Sequence, residues 1–312
     1  MASTSRSRLT SSLRNIRDWA SSDASLERCR ITDYIQGNDS IAIAADEVFR
    51  LGMNSIGDSL LQAAENPYAK APQTLATGVL RLLVGNSVIV ENLKGTSRTG
   101  LDDLDGITHV MLCALATGQF TVVVPCHDAV FSGINNGYGV RDGHNPPIGT
   151  TLRYAAFGLT IIGDWLDKPL DLDKHALPRD PAWGQLVANW REPDPDKLMP
   201  MLVTACDTHV ERIALTSREL DSGNFEFGSP FEAVYPAEIL AILNLRRSMG
   251  LPNPSIDHPL MKTPYAQLTC PPGMRFEPDE LLMRFLAAAC KYDPDAVPAG
   301  LYEAVVQNSA ED

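Results

Sequence analysis

Apolar residues recur along most of this chain with a period near 3.6, the signature of amphipathic helices. Leu198, Met201, Leu202, Ala205, His209, Ile213, Thr216 and Leu220 form one stripe and predict a long helix over 197–220. Ile41, Ala45, Val48, Ile56 and Leu60 form another, capped by Asp39 and Ser40 and ended by Pro67. Leu75, Val79, Leu82, Leu83, Asn86 and Val90 mark a third, with Pro72 near its start. Weaker or shorter stripes predict helices over 9–30, 102–117, 151–167, 183–190, 230–249, 278–291 and 295–306. Phe120 to Val124 is ambiguous: its three valines in a row favour a strand, and a short buried helix fits as well.

These elements predict an all-α protein, an irregular multi-helix array or bundle of helical hairpins, with room for one short strand near 120–124. No clean repeat of about 33 to 47 residues is present, so a regular solenoid is not supported. Residues 1–8 are expected to be a disordered tail and 9–167 an N-terminal helical region containing a glycine-rich loop over 132–149. Residues 168–312 form a C-terminal helical region, with the charged tract 168–181 as the junction and both regions packed as one continuous domain. The stretch 251–277 is rich in proline and reads as extended.

Composition narrows the classes. The chain has 312 residues, 44% of them hydrophobic and 21% charged, which suits a folded domain with a sizeable core. No apolar run approaches the roughly 18 to 20 residues that span a bilayer, so no membrane partner is expected. The net charge of −13 repels nucleic acid and favours a basic protein partner. Six cysteines stand apart without a CxxC pair, as in a reduced, cytoplasmic protein. Arg6, Arg8, Arg14 and Arg17, amid serines and with Leu9, Leu13 and Ile16 on one face, read either as a basic first helix or as a transit-like segment.

Candidate chemistry is sparse. His109, Cys113, Cys126 and His127 are residue types that bind zinc, but their order and the adjacent last pair make tetrahedral ligation awkward. Cys126, His127 and Asp128 are consecutive, so their side chains diverge and make a poor nucleophile–base–orienter set. Gly137, Gly139 and Gly143 miss the spacing of a dinucleotide loop. His209 lies on an apolar stripe and reads as a hydrogen-bonded core residue. Trp183 and Trp190 share a face and read as core. No cofactor and no metal are expected.

One tract carries a resemblance. Tyr235-Pro236-Ala237-Glu238-Ile239-Leu240-Ala241 leads into Leu245-Arg246-Arg247 and Gly250-Leu251-Pro252. Asp257-His258-Pro259-Leu260-Met261 and Pro278-Asp279-Glu280-Leu281-Leu282 follow. This arrangement resembles bacterial immunity proteins of polymorphic-toxin and type VI secretion systems, and within them the family called immunity protein forty-nine. The glycine-rich insert 132–149 and the proline-rich 251–277 depart from that pattern. The resemblance implies a helical protein without catalytic residues that binds a cognate toxin and occludes it.

A basic active-site surface on that toxin suits an acidic inhibitor. Candidate contacts are Asp102, Asp103 and Asp105 at a helix start, and Asn135, Asn136, Tyr138, Arg141 and Asp142 in the irregular loop. A homo-oligomer is compatible with the sequence. Two other readings stand beside this one. The chain is a metal-dependent hydrolase using Asp207 with His209 or Asp257 with His258, or it is a helical scaffold for another partner.

Overall fold

The computed structural model describes residues 2–21, 29–65, 70–92, 104–135, 151–270, 274, 276, 277 and 279–309. Among them are fourteen α-helices and three one-turn 3-10 helices. The only strand-like pairing among these residues is a single bridge between Ile213 and Phe227. The protein is an all-α multi-helix array.

Its centre is an antiparallel hairpin of α3 (Ile41–Glu65) and α4 (Ala71–Asn92). The two backbones approach closely because glycine faces backbone across the seam. A Cβ placed on Gly78 would stand 2.8 Å from the Gly52 carbonyl oxygen, and one on Gly85 would stand 2.8 Å from that of Ala45. Ser59 Oγ, buried in the same seam, donates to the Ala71 carbonyl at 2.7 Å. Contrary to the expectation from sequence, α4 is long and apolar enough to cross a membrane. Its faces are instead occupied by neighbours: α3, α5 (Leu104–Ala116) and α6 (Phe120–Asn135).

The segment 120–124 is the first turn and a half of α6, not a strand. Val122, Val123, Cys126, Val130 and Ile134 are all buried at helical spacing. The β-branched penalty in a helix is a few tenths of a kcal/mol per residue, which that burial outweighs.

The N-terminal helix α1 spans Ala2–Ser21, so residues 2–8 of the segment expected as a tail belong to a helix. Leu9 and Ile16 are buried on its inner face. Arg8 donates to the Ile213 carbonyl at 2.8 Å and grips Glu219 with both terminal nitrogens, at 3.1 and 2.8 Å. Helix α2 (Cys29–Ile35), which the hydrophobic pattern did not reveal, docks on α3. There the buried Glu47 carboxylate accepts from Ile31 N at 2.6 Å.

In the C-terminal half, α7 (Arg153–Trp165), α8 (Pro181–Asn189) and α9 (Pro195–Glu211) follow the predicted stripes. The helix expected to run to 220 stops at Arg212. There Glu226 N and Phe227 N turn to the Arg212 carbonyl, and Ala214 N donates to Phe227 O. Thr216 then caps the short α10 (Ser217–Leu220). The stripe over 230–249 is likewise divided into α11 (Pro230–Val234) and α12 (Ala237–Ser248), because Pro236 forces Tyr235 out of the helical region. Helix α12 packs on α5, while α13 (Glu280–Tyr292) and α14 (Leu301–Ser309) close the far side against α2 and α6.

Arg246 holds the proline-rich stretch in place. Buried in α12, it donates to the carbonyls of Trp190, Glu192 and Pro252 at 2.7, 2.8 and 2.6 Å. One continuous cluster of buried apolar side chains runs from Leu9 to Val305 and draws on both halves of the chain.

The hairpin seam sets a test with two signs. Gly78→Val should destabilise by about 1–3 kcal/mol, because the added atoms meet backbone that cannot yield. Gly184→Ala on α8, where a Cβ meets nothing within 4 Å, should stabilise by about 0.5–1 kcal/mol. Urea midpoints of the two variants check both.

Candidate functional site

Charged side chains gather where α5, α7, α8 and the end of α9 meet. Asp105, in the first turn of α5, is buried. Its carboxylate accepts from Thr151 N at 2.8 Å, Leu152 N at 3.0 Å and Ala155 N at 2.8 Å. Helix α7 has no side-chain cap of its own, and its N-cap residue Leu152 sits in the left-handed region at φ 57°. A carboxylate from another helix therefore fills the capping role, at the positive end of the α7 dipole. Asp105 was expected at the surface as a partner contact; instead it faces inward, because the α7 N–H groups need an acceptor.

Glu226 has a fully buried side chain. Its Oε1 accepts from Arg153 Nε at 3.0 Å and Arg212 Nη1 at 2.9 Å, and its Oε2 from Trp183 Nε1 at 3.2 Å. Arg212 also donates to Asp180 at 2.7 Å, while Asp180 caps α8 through Ala182 N at 2.8 Å. Burial pushes the Glu226 carboxyl above the usual range, and Arg212 and Arg153 oppose that shift. Two carboxylates, Asp180 and Glu226, thus share two guanidinium groups.

Behind this junction lies a second polar unit. His209 Nδ1 is 2.7 Å from Glu238 Oε1, and its Nε2 is 3.2 Å from the Ala233 carbonyl. Tyr154 donates to Glu238 Oε2 at 3.2 Å, and the His209 ring stacks on Phe227 with centroids 4.0 Å apart. Both His209 and Glu238 side chains are wholly enclosed. Burial and the adjacent Glu238 hold the Tyr154 phenol well above its ordinary range.

Between the two units opens a cavity of about 340 Å³, lined by Asp105, His109, Tyr154, Glu226, Phe227 and Glu232 among others. Its mouth is formed by the exposed Gly228 and the half-buried Ser229 and Glu232. The His109 imidazole is pushed below its ordinary range by burial, against the pull of Glu232 and Glu238, and is neutral at pH 7. Burial raises the neighbouring Cys113 thiol well above its usual range, so it stays protonated.

The structure separates most of the side chains that sequence patterns grouped. Cys113 lies beside His109, at 3.6 Å from Nδ1. Cys126 instead contacts Ser87 Oγ at 2.6 Å, with its thiol pushed up to about 12 by burial, and His127 stacks on Phe131. Among the described residues, no three His, Cys, Asp or Glu side chains converge as metal ligands do. His209 pairs with Glu238 rather than with Asp207. Asp207 pairs with His258 at 3.2 Å, and Asp257 with Lys262. Trp183 and Trp190 are buried, with indole N–H groups donating to Glu226 and Asp164.

Asn135 ends α6 in an exposed position and accepts from Lys174 Nζ at 2.7 Å. Asp102, Asp103, Asn136, Tyr138, Arg141 and Asp142 lie outside the described residues. The groups that sequence reasoning missed are Arg153, Asp180, Arg212, Glu226 and Glu238. Arg153, Asp180, Arg212 and Glu226 are single charges with no motif around them; only Glu238 carried a signal, as an acid inside the apolar run 237–242 of the tract that carried the resemblance. Comparison of the chain with protein-family models, with curated proteins and with solved structures matched nothing.

The buried imidazoles set a pH dependence. His109 and His127 are both held below the ordinary value of 6.5, mainly by burial, and His127 Nε2 has no hydrogen-bond partner. The unfolded chain binds those protons more readily, so their contribution is complete above pH 6.5 and is lost as pH falls below it. Glu226, raised by burial, works in the opposite direction. His127→Phe should therefore lose less stability than the wild type between pH 7.5 and 5.5. Equal losses in paired thermal melts would contradict this.

Proposed function

We propose that this chain is a non-catalytic binding protein that neutralises a cognate bacterial toxin by covering it. The observation that carries the reading is the use made of histidine–carboxylate pairs among the described residues. His209 with Glu238 is enclosed on all sides, beyond the reach of a substrate. His258 with Asp207 ties α9 to the proline-rich stretch, and its Nδ1 accepts from Leu260 N at 3.2 Å. His127 with Asp128 joins neighbours in sequence at 3.5 Å, and Asp128 is claimed by Lys168. Pairs that in a hydrolase would face a cleft here fasten the fold.

The acid excess supports a basic partner. A net charge of −13 speeds encounter with a positively charged protein surface, while buried contacts set the lifetime of the complex. The resemblance of 235–282 to immunity proteins supports a toxin as that partner. The proposed contact set is Asp102, Asp103, Asn135, Asn136, Tyr138, Arg141 and Asp142.

The test is co-expression with the product of the adjacent gene in a bacterial host. Rescue of growth and a stable complex on gel filtration are expected. Growth arrest despite abundant folded protein contradicts the reading. For the purified pair, the association rate should fall by about tenfold or more between low and high salt, with a much smaller change in the dissociation rate.

A further inference from the structure

The cavity between α5, α7 and the turn before α11 has a chemistry that the reading above does not use. Two of its carboxylates, Asp105 and Glu226, are fully engaged with donors. Glu232 is not. Its Oε2 accepts from Gly228 N at 3.0 Å and Ser229 N at 2.8 Å, and among the described residues no donor reaches its Oε1.

His109 is the second unusual wall. It is only 4% exposed, yet among the described residues the one group within hydrogen-bonding distance of its two nitrogens is Cys113 Sγ, at 3.6 Å from Nδ1 and 3.9 Å from Nε2. The two nitrogens flank one ring carbon and point apart. A sulfur nearly equidistant from both lies well off the in-plane axis of each, so no lone pair and no N–H is aimed at it. A buried imidazole without a directed hydrogen bond is a rare arrangement, and it lines this space. Tyr154 and Phe227 complete the walls, with ring centroids 5.4 Å apart and planes at 85°.

We propose that this cavity binds a guanidinium or ammonium group, carried either by a small amine or by a basic side chain inserted from outside. Such a group donates to Glu232 Oε1 and to the unprotonated nitrogen of His109. It also meets the faces of the two aromatic rings. Its charge offsets the carboxylate excess left after Arg153 and Arg212 are counted. An anion meets three carboxylates here, and a neutral apolar group leaves His109 unbonded.

Calorimetric titration of the full chain tests this with butylguanidinium, with butylurea as a neutral mimic of the same shape, and with a blocked Gly-Arg-Gly peptide. Butylguanidinium is expected to bind saturably, one per chain, about tenfold or more tighter than butylurea. Binding of butylguanidinium but not the peptide assigns a small amine, and binding of both assigns a side chain. Glu232→Gln, which keeps an oxygen for the α11 cap, should weaken binding by about fivefold or more. The His109 ring-proton resonances should shift along the same titration curve, a readout that needs no variant. Equal binding of butylurea and butylguanidinium, no saturable binding, or unchanged affinity in a folded Glu232→Gln protein would overturn the proposal.

Discussion

Buried carboxylates that grip the starts of distant helices hold this array together. Asp105 on α5 collects three backbone N–H groups at the start of α7. Glu47 on α3 receives the Ile31 N–H near the start of α2. Asp180 caps α8 and takes Arg212 from the end of α9, while Glu226 gathers Arg153, Arg212 and Trp183 from three helices. A helix start leaves four N–H groups unpaired, and a fold of short helices has many such starts to satisfy. An acid on a neighbouring helix does this while fixing how the two helices meet. Apolar packing alone leaves that geometry soft, since similar stripes fit together in several registers.

The same economy bears on function. Interior acids committed to N–H groups and guanidinium groups are poorly placed to transfer protons to a substrate. The enclosed His209–Glu238 pair, hydrogen-bonded to Tyr154 and stacked on Phe227, has the composition of a catalytic dyad and the surroundings of a core. On the proposed reading, interaction falls to the acidic exterior and to the cavity whose walls include a Glu232 oxygen without a donor among the described residues and a poorly bonded His109. Both favour positively charged occupants, one on the scale of a protein surface and the other on the scale of a single cationic group.

Helices were legible in the sequence wherever a 3.6 stripe ran uninterrupted, as in α3, α4, α7 and α13. One ambiguity and two misreadings have physical causes. The valines of 120–124 carry strand propensity, but packing of α6 against α4 and α14 overrides it. The stripe 197–220 continues in sequence past Arg212, while the bridge between Ile213 and Phe227, a long-range pairing, ends the helix. Asp105 has the composition of a solvated helix start, and its inward role depends on Leu152 leaving α7 without a cap. The charged junction was illegible for a similar reason. Arg153, Asp180, Arg212 and Glu226 are spread over 73 residues and meet only through the tertiary fold. Arg246 stood within the tract that carried the resemblance, and its part is to hold three carbonyls with its guanidinium.

Glu226 anchors α7, α8 and the end of α9 to one another. Equilibrium unfolding of Glu226→Gln by urea measures this directly. Breaking its buried contacts with Arg153 and Arg212 should remove about 3–5 kcal/mol of stability. A Glu226→Gln protein as stable as the wild type, with its activity against the partner abolished, would contradict the account.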